Sequence, residues 1–362
     1  MKIINPDEEE SEEIALGVHG TDSLYQEVRD QHVEKFGSFL QNQAKALQAS
    51  HANFTNKEKK KDLTEIHQFV KQIPVSESLP SSTIVEAPFF LLTGAFLQVF
   101  SKNLRSLTNH ILLAEKVKAT TEGSSFRERW QTERSMLEGE QGLEVVEELI
   151  ALQRDPLRVL RLLCLQSLCG GGVKTSKFDS IRRDLVQTYG YEMMFVLNNL
   201  EKSGLLRRRD WMDTNIPFTN LRKSLILINA EVDPVNPDDV SYVSSGYAPM
   251  SVRLVQTAVK GWKGKDEILK DIPGRVVDLT QSSPPEDFKS AIKKKQTKSL
   301  GVIATEQTEG KKPTMIVAFV GGVTFMEIAA LRFLSKRTSF PYHILIVATK
   351  VINGSSLVQA LA

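Results

Sequence analysis

Two apolar runs of strand length near the end of the chain constrain its fold more than anything that precedes them. Met315–Val320 (MIVAFV) contains no polar residue, and Ile344–Ala348 inside HILIVAT is apolar throughout. Between them lie Gly321-Gly322 and a helix-like stretch from Thr324. Apolar runs without alternation suit strands covered on both faces, as in a parallel sheet. A strand, a helix and a second strand make the crossover unit of α/β folds. Two strands alone are marginal in water, and little else in the chain offers strands of this kind. The pair is therefore expected to finish a larger sheet whose remaining strands belong to an N-terminal part outside this chain. Such a remnant would expose apolar strand edges and dissolve poorly by itself.

Bulk properties exclude several classes. At 362 residues the chain has room for two or three domains. A net charge of +2 supplies no basic field for nucleic acid. No apolar run is long and clean enough to cross a bilayer, so any work at a membrane is expected to be indirect. Met1 opens no signal peptide, because the acidic stretch Asp7–Glu13 follows almost at once. Cys164 and Cys169 sit in an apolar helical stretch and read as buried, reduced thiols of a cytosolic protein.

Residues 1–21 read as a linker and the end of a truncated domain. Asp22 or Ser23 caps a helix from Leu24, whose apolar positions (Leu24, Val28, Val33, Phe36, Leu40, Ala44, Leu47) share one face. Asn56 is expected to cap a second helix, with Lys57–Lys61 as its basic first turn and Leu63, Ile66, Phe69, Val70 and Ile73 on its apolar face, closed by Pro74. Together these predict an αα-hairpin over residues 24–73. Residues 79–101 break the pattern: Glu86 is the lone charge, and Pro88, Gly94 and Gln98 interrupt an apolar text. A buried segment, a membrane span and non-coding sequence all fit, the last best, and poor packing is expected there. Helical spacing resumes over Leu104–Val117, 119–125 reads as a loop, and charged helical text runs to Gln153. Leu157–Leu168 is apolar nearly all round and predicts a core helix ended by Gly170-Gly171-Gly172. Helices over 177–187 and 191–202, then a strand over 225–228, suggest a winged-helix lobe. Its third helix carries little positive charge, which favours a protein partner over DNA. Residues 281–312 read as a solvated loop.

Catalytic patterns fail on inspection. A phosphate loop at Gly321-Gly322 would need a lysine that is missing, whereas Thr324-x-x-Glu327 fits a capping box. No nucleophile elbow occurs, no histidine stands near either cysteine in sequence, and Glu147-Glu148 fit a solvated helix face. No catalytic, cofactor or metal residues are assigned. Tyr189-Gly190-Tyr191-Glu192 followed by Met193-Met194-Phe195 places aromatics and methionines around a helix break, a composition favoured at interfaces. Tyr189 and Phe195 are expected to pack inward, while Tyr191 and Met194 suit either role.

Taken in order, DSLYQEVRDQHVEKFGSFL (22–40), VLRLLCLQSLC (159–169), QTYGYE (187–192), NLEKSGLL (199–206), SYVSSGYAPMSVRL (241–254) and VGGVTFMEIAALRFL (320–334) resemble the SM (Sec/Munc) family of SNARE-binding proteins. The resemblance is to its vacuolar protein sorting thirty-three branch, A-type, and to a C-terminal fragment of it. Residues 79–101 have no place in it. It implies an arch-shaped fold, α/β plus mostly α, lacking the first domain and half of the second. Residues 22–155 would form the helical hairpin SNARE-binding region and 156–312 a winged-helix-like lobe with a linker. Residues 313–362 would form a parallel βαβ unit belonging to the second domain. The implied function is non-enzymatic: templating SNARE assembly for fusion with late endosomes and lysosomes, as a subunit of HOPS and CORVET tethers recruited peripherally from the cytoplasm. On this footing Arg182, Tyr191 and Met194 contact a class C tether subunit, and Phe36, Leu40, Leu47 and Phe69 form the SNARE-facing stripe. An α/β enzyme fragment with its active site elsewhere, or a truncated gene product without function, are the competing expectations.

Overall fold

The computed structural model describes residues 22–60, 89–210, 217–261, 266–272, 276–277, 279 and 312–361. Helix α1 (Ser23–Val28) starts where expected: the Asp22 carboxylate accepts hydrogen bonds from the Leu24 and Tyr25 amides. The single long helix predicted from Leu24 is instead broken over 29–32, and α2 (Val33–Lys60) begins after the turn. The break has a tertiary cause. Asp30 gives its carbonyl to the Tyr242 hydroxyl at 2.6 Å and its carboxylate to Arg332 at 3.0 Å, both far away in sequence.

Helix α2 then runs through Asn56, so that residue caps nothing, and α2 packs against α3 (Phe89–Glu122). Among the described residues α2 therefore pairs with α3, and the turn expected near Asn56 is helical. Phe69 and the predicted second helix beyond Lys60 lie outside the described residues, as do residues 79–88; Phe89 onward is helical. The loop expected at 119–125 shrinks to Gly123, because α4 (Ser124–Glu138) starts directly after it.

Gly139 turns the chain with φ 102° and α5 (Leu143–Ala151) follows, so the helical text to Gln153 is two helices. Helix α6 (Pro156–Cys169) has Asp155 as its cap, with proline in the first turn, and Gly170 at its end. It buries Val159, Leu160, Leu162, Leu163 and Cys164, as a core helix apolar on most sides should. Strand β1 (Val173–Lys174), α7 (Thr175–Tyr189), α8 (Met193–Lys202) and β2 (Arg208–Arg209) complete this lobe, with β1 and β2 pairing in parallel. Residues 225–228 make no strand. After α9 (Pro217–Ser224), Ile226 sits at φ 51° and Ile228 makes a lone bridge to Tyr247. A left-handed β-branched residue cannot continue an extended run.

A 3₁₀ turn (Val240–Ser244), α10 (Met250–Lys260) and α11 (Asp266–Asp271) lead towards the terminal unit. There β3 (Thr314–Phe319), α12 (Phe325–Lys336) and β4 (His343–Ala348) form the expected parallel βαβ, in register from Thr314–His343 to Phe319–Ala348. The sheet has two strands among the described residues. Coverage on both faces is not what the strands show. Val317, Phe319, Ile344 and Ile346 pack with Ala330, Leu331 and Leu334 of α12. On the other face Ile316, Leu345 and Val347 are 64, 49 and 48% exposed. An α12-sized layer covers one face only, so alternation in burial appears where the sequence has none. Last, α13 (Gly354–Leu361) folds back and inserts Val358 into the core formed by α4–α8.

Candidate functional site

Two surfaces emerge from this arrangement. The first is a groove of about 960 Å³ at the base of the α2–α3 pair. Phe36, Leu40 and Ala44 line one wall from α2, Ile111 stands on α3, and Phe126 and Trp130 close it from α4. Val243–Ser245 of the 3₁₀ turn form its floor. Three helices supply it because the chain breaks at Gly123, an extended residue between α3 and α4, and both helices then contribute to the lining with α2. Of the predicted stripe, Phe36 and Leu40 are brought together here. Leu40 is only 5% exposed, so its contribution is the groove's inner wall, and Leu47 is half-buried farther along α2, outside the lining. Trp130 was not singled out from sequence; a lone tryptophan in a charged helix (SSFRERWQTERSMLE) could have flagged it. The Arg134 guanidinium lies 5.8 Å from its ring centroid, within cation–π range.

The second surface is the helix break at Gly190. With φ 98° the glycine stops α7, and Tyr191 and Glu192 form a turn before α8. Tyr191 is 80% exposed and Met194 40%. Their spacing of three puts them on one face of the first turn. Phe195, expected to pack inward, is 72% exposed and joins that face. The inward positions of α8 are instead Leu197 and Leu200, with Met193 and Val196 half-buried against the same core. Tyr189 does pack inward, and its hydroxyl donates to the Arg154 carbonyl at 2.6 Å. Arg182 is half-buried on α7, next to the fully buried Ile181.

Other candidate groups turn out to be structural. Thr324 and Glu327 form the capping box: Thr324 Oγ1 accepts the Glu327 amide at 3.2 Å, and Glu327 Oε2 accepts the Thr324 amide at 2.8 Å. The second Glu327 oxygen accepts the Ser251 hydroxyl at 2.5 Å, which ties α12 to the first turn of α10. The Gly321 amide donates to Thr349 Oγ1, and a Cβ at Gly322 would lie 2.7 Å from the Ile352 side chain. Gly322 makes room for the Ile352 side chain, and Gly321, at φ 107°, spends its amide on Thr349. Both cysteines are free and buried; burial pushes the Cys164 thiol up to about 11 and the Cys169 thiol to about 12. Neither is a thiolate nucleophile near neutral pH. Lys177 holds Glu147 at 2.8 Å. Among the described residues no acidic, histidine and cysteine group is placed to hold a metal ion, and no helix is long and apolar enough to cross a membrane.

The segment 239–254 acts as a clamp between these parts. Asp239 caps the 3₁₀ turn through the Ser241 amide and holds Arg253 through both oxygens, at 2.8 and 2.7 Å. Burial alone would raise the Asp239 carboxyl, but the hydrogen bonds from Arg253 and Ser241 outweigh it and leave the carboxyl below its ordinary value. A depressed folded-state value means that the pair's stabilisation is complete above the unfolded carboxylate value of about 4 and is lost as the pH falls through the folded one. Urea denaturation from pH 6 to pH 3 is expected to show steeper loss of stability in the parent chain than in Asp239→Asn. Equal slopes would remove Asp239 from the acid response.

With the geometry in place, comparison with known proteins identifies the kinship. The family model described as Sec1 family matches residues 94–360. Vacuolar protein sorting-associated protein 33A of Rattus norvegicus is 35% identical over 350 residues, covering 96% of this chain and 51% of that protein. The vacuolar protein-sorting-associated protein 33 homolog of Arabidopsis thaliana is 30% identical over 97% of this chain and 53% of its own length. Vacuolar protein sorting-associated protein 33B of Homo sapiens is 25% identical, covering 95% of this chain and 54% of its own length. The chain spans about half the length of the relatives it matches. A match running from α3 to α13, through both lobes and the βαβ unit, makes the chain a member of the Sec1 family, on the branch of the vacuolar protein sorting-associated 33 proteins, A-type.

Proposed function

We propose that this chain is the SNARE-binding and tether-docking portion of a non-enzymatic vacuolar SM protein. It would template SNARE assembly for vesicle fusion with late endosomes and lysosomes, as a subunit of a HOPS- or CORVET-type tether recruited from the cytoplasm. The names of its relatives speak of vacuolar protein sorting, which supports this pathway. In this reading residues 22–155 handle SNAREs, 156–312 dock a class C tether subunit through Arg182, Tyr191 and Met194, and 313–362 belong to the α/β second domain.

The observation that carries the SNARE assignment is the open apolar groove beside α2–α3. Its wall residues Phe36, Ala44 and Phe126 offer what an amphipathic helix seeks, a trough for one apolar face with charges at the rim. Glu34, Glu115, Lys118 and Arg127 sit among the lining residues and provide that rim. Phe36→Asp puts a charge into the trough and is expected to weaken binding of SNARE-motif peptides by roughly 10-fold or more, the scale of about 1.4 kcal/mol. Fluorescence anisotropy with labelled peptides from vacuolar SNAREs measures it. Unchanged affinity in Phe36→Asp, with helicity retained, would place the SNARE site elsewhere; no binding by the parent chain would sink the SNARE reading itself.

A further inference from the structure

The helices α1–α3 form an arm joined to the rest of the molecule in two physically different ways. One joint is covalent. Gly123 separates α3 from α4 with φ −62° and ψ 140°, an extended residue between two helices, and no side chain caps the junction. The other joint is the turn between α1 and α2. There the Asp30 side chain is 9% exposed, and Oδ1 accepts Arg332 of α12 at 3.0 Å. Oδ2 has no hydrogen-bond partner; Lys336 of α12 and Arg29 each stand 3.9 Å from it. The Asp30 carbonyl accepts the Tyr242 hydroxyl, and the Tyr242 ring packs tilted against Phe333 of α12, with centroids 4.9 Å apart. His32, two residues on, bonds Ser245 through Nε2 at 3.0 Å.

One residue therefore joins the arm to the 3₁₀ turn through its carbonyl and to the α/β unit through its carboxylate. It is under-bonded for a buried acid, held at Oδ2 by cations at long range rather than by hydrogen bonds. Such a contact is strong enough to hold a position, and removing one partner leaves charge uncompensated. The groove spans the same junction, with α2 and α3 on the arm side and α4 and the 3₁₀ turn on the body side. We infer that Asp30 is a positioning residue, a clasp that holds the arm against the α/β unit and so sets how far the groove is open, with Gly123 as the hinge. Hinge motion of this kind concentrates its backbone change in a few residues at element ends. The inference stands whatever the groove binds.

Spin-label distances in the full 362-residue chain test it. The native cysteines are buried with raised pKa, so labels go to introduced ones. Ser38→Cys with Thr338→Cys reports arm to α/β unit, and Ser38→Cys with Asn103→Cys reports the arm's interior; all three positions are exposed. Asp30→Asn is expected to broaden the first distance distribution and move it to longer values, while the second stays as in the parent. Arg332→Gln should reproduce the change, and the double variant should add nothing to either single one, as expected of partners in one contact. An unchanged first distance in Asp30→Asn overturns the clasp. So does a change in both distances, which would mean the arm has come apart instead of swinging.

Discussion

Tyr191→Asp is expected to cut association with class C tether subunits by about 30-fold or more, the loss of a hot spot worth roughly 2 kcal/mol. The size follows from position. Tyr191 is 80% exposed, so its ring spends no free energy on this chain's own core. A tyrosine at a turn loses little side-chain entropy on docking and buries a large ring in return. Beside it Met194 and Phe195 extend the apolar face, so a charge at Tyr191 would be desolvated among apolar groups on docking. The same exposure protects the fold: α8 is anchored by Leu197 and Leu200, which the substitution does not touch. Far-UV circular dichroism should therefore match the parent, and co-purification or calorimetry reads the loss. Retained binding would refute the docking assignment. Phe195→Ala should weaken the contact as well, since the structure puts that ring on the same face.

Gly246→Ala is expected to destabilise the chain by about 3 kcal/mol, in the upper range of single substitutions. Gly246 is buried with φ 112°, a backbone setting that L side chains rarely take. A Cβ there would lie 2.6 Å from the Asn229 carbonyl oxygen. That oxygen belongs to backbone held in place, because the Asn229 amide donates to the Gly246 carbonyl at 2.8 Å and the Ala248 amide donates to Leu227 at 2.7 Å. Neither segment at this bridge can withdraw without losing its bonds. Equilibrium urea unfolding of parent and variant measures the loss; a difference below about 1 kcal/mol, the common size of a point mutation, would show that the turn relaxes.

The features that could be read directly from the residues were those set by near neighbours. The Thr324–Glu327 capping box, the Asp22 cap, the glycine stops after α6 and α7, and the βαβ unit each depend on a few adjacent positions, and each is where the residues indicate. The departures lie where distant parts decide. Nothing local in EVRDQHV announces that Asp30 will be claimed by Arg332 and Tyr242, so the break after α1 was invisible. In MMFVLNNL apolar residues surround the first turn, and only packing against α7 and α13 selects Leu197 over Phe195 as the buried member. Ile226 likewise looks like strand text, yet it closes α9 in a left-handed turn. The groove was half legible: Phe36 and Leu40 marked the α2 wall, but Phe126, Trp130 and the 3₁₀ floor depend on how α4 returns from Gly123.

Helix α13 has a consequence for how the polypeptide reaches its native state in the cell. Val358 completes a core otherwise built from residues 136–206, so this lobe waits for a plug that the ribosome makes long after the rest of it. Domains commonly fold as they emerge, N-terminal portions first. Here the nascent lobe would sit with an open seam while all intervening sequence is translated, a window in which chaperones would find apolar surface to hold. A frameshift or stop codon just ahead of Gly354 would then act on a lobe encoded far upstream, leaving it unsealed.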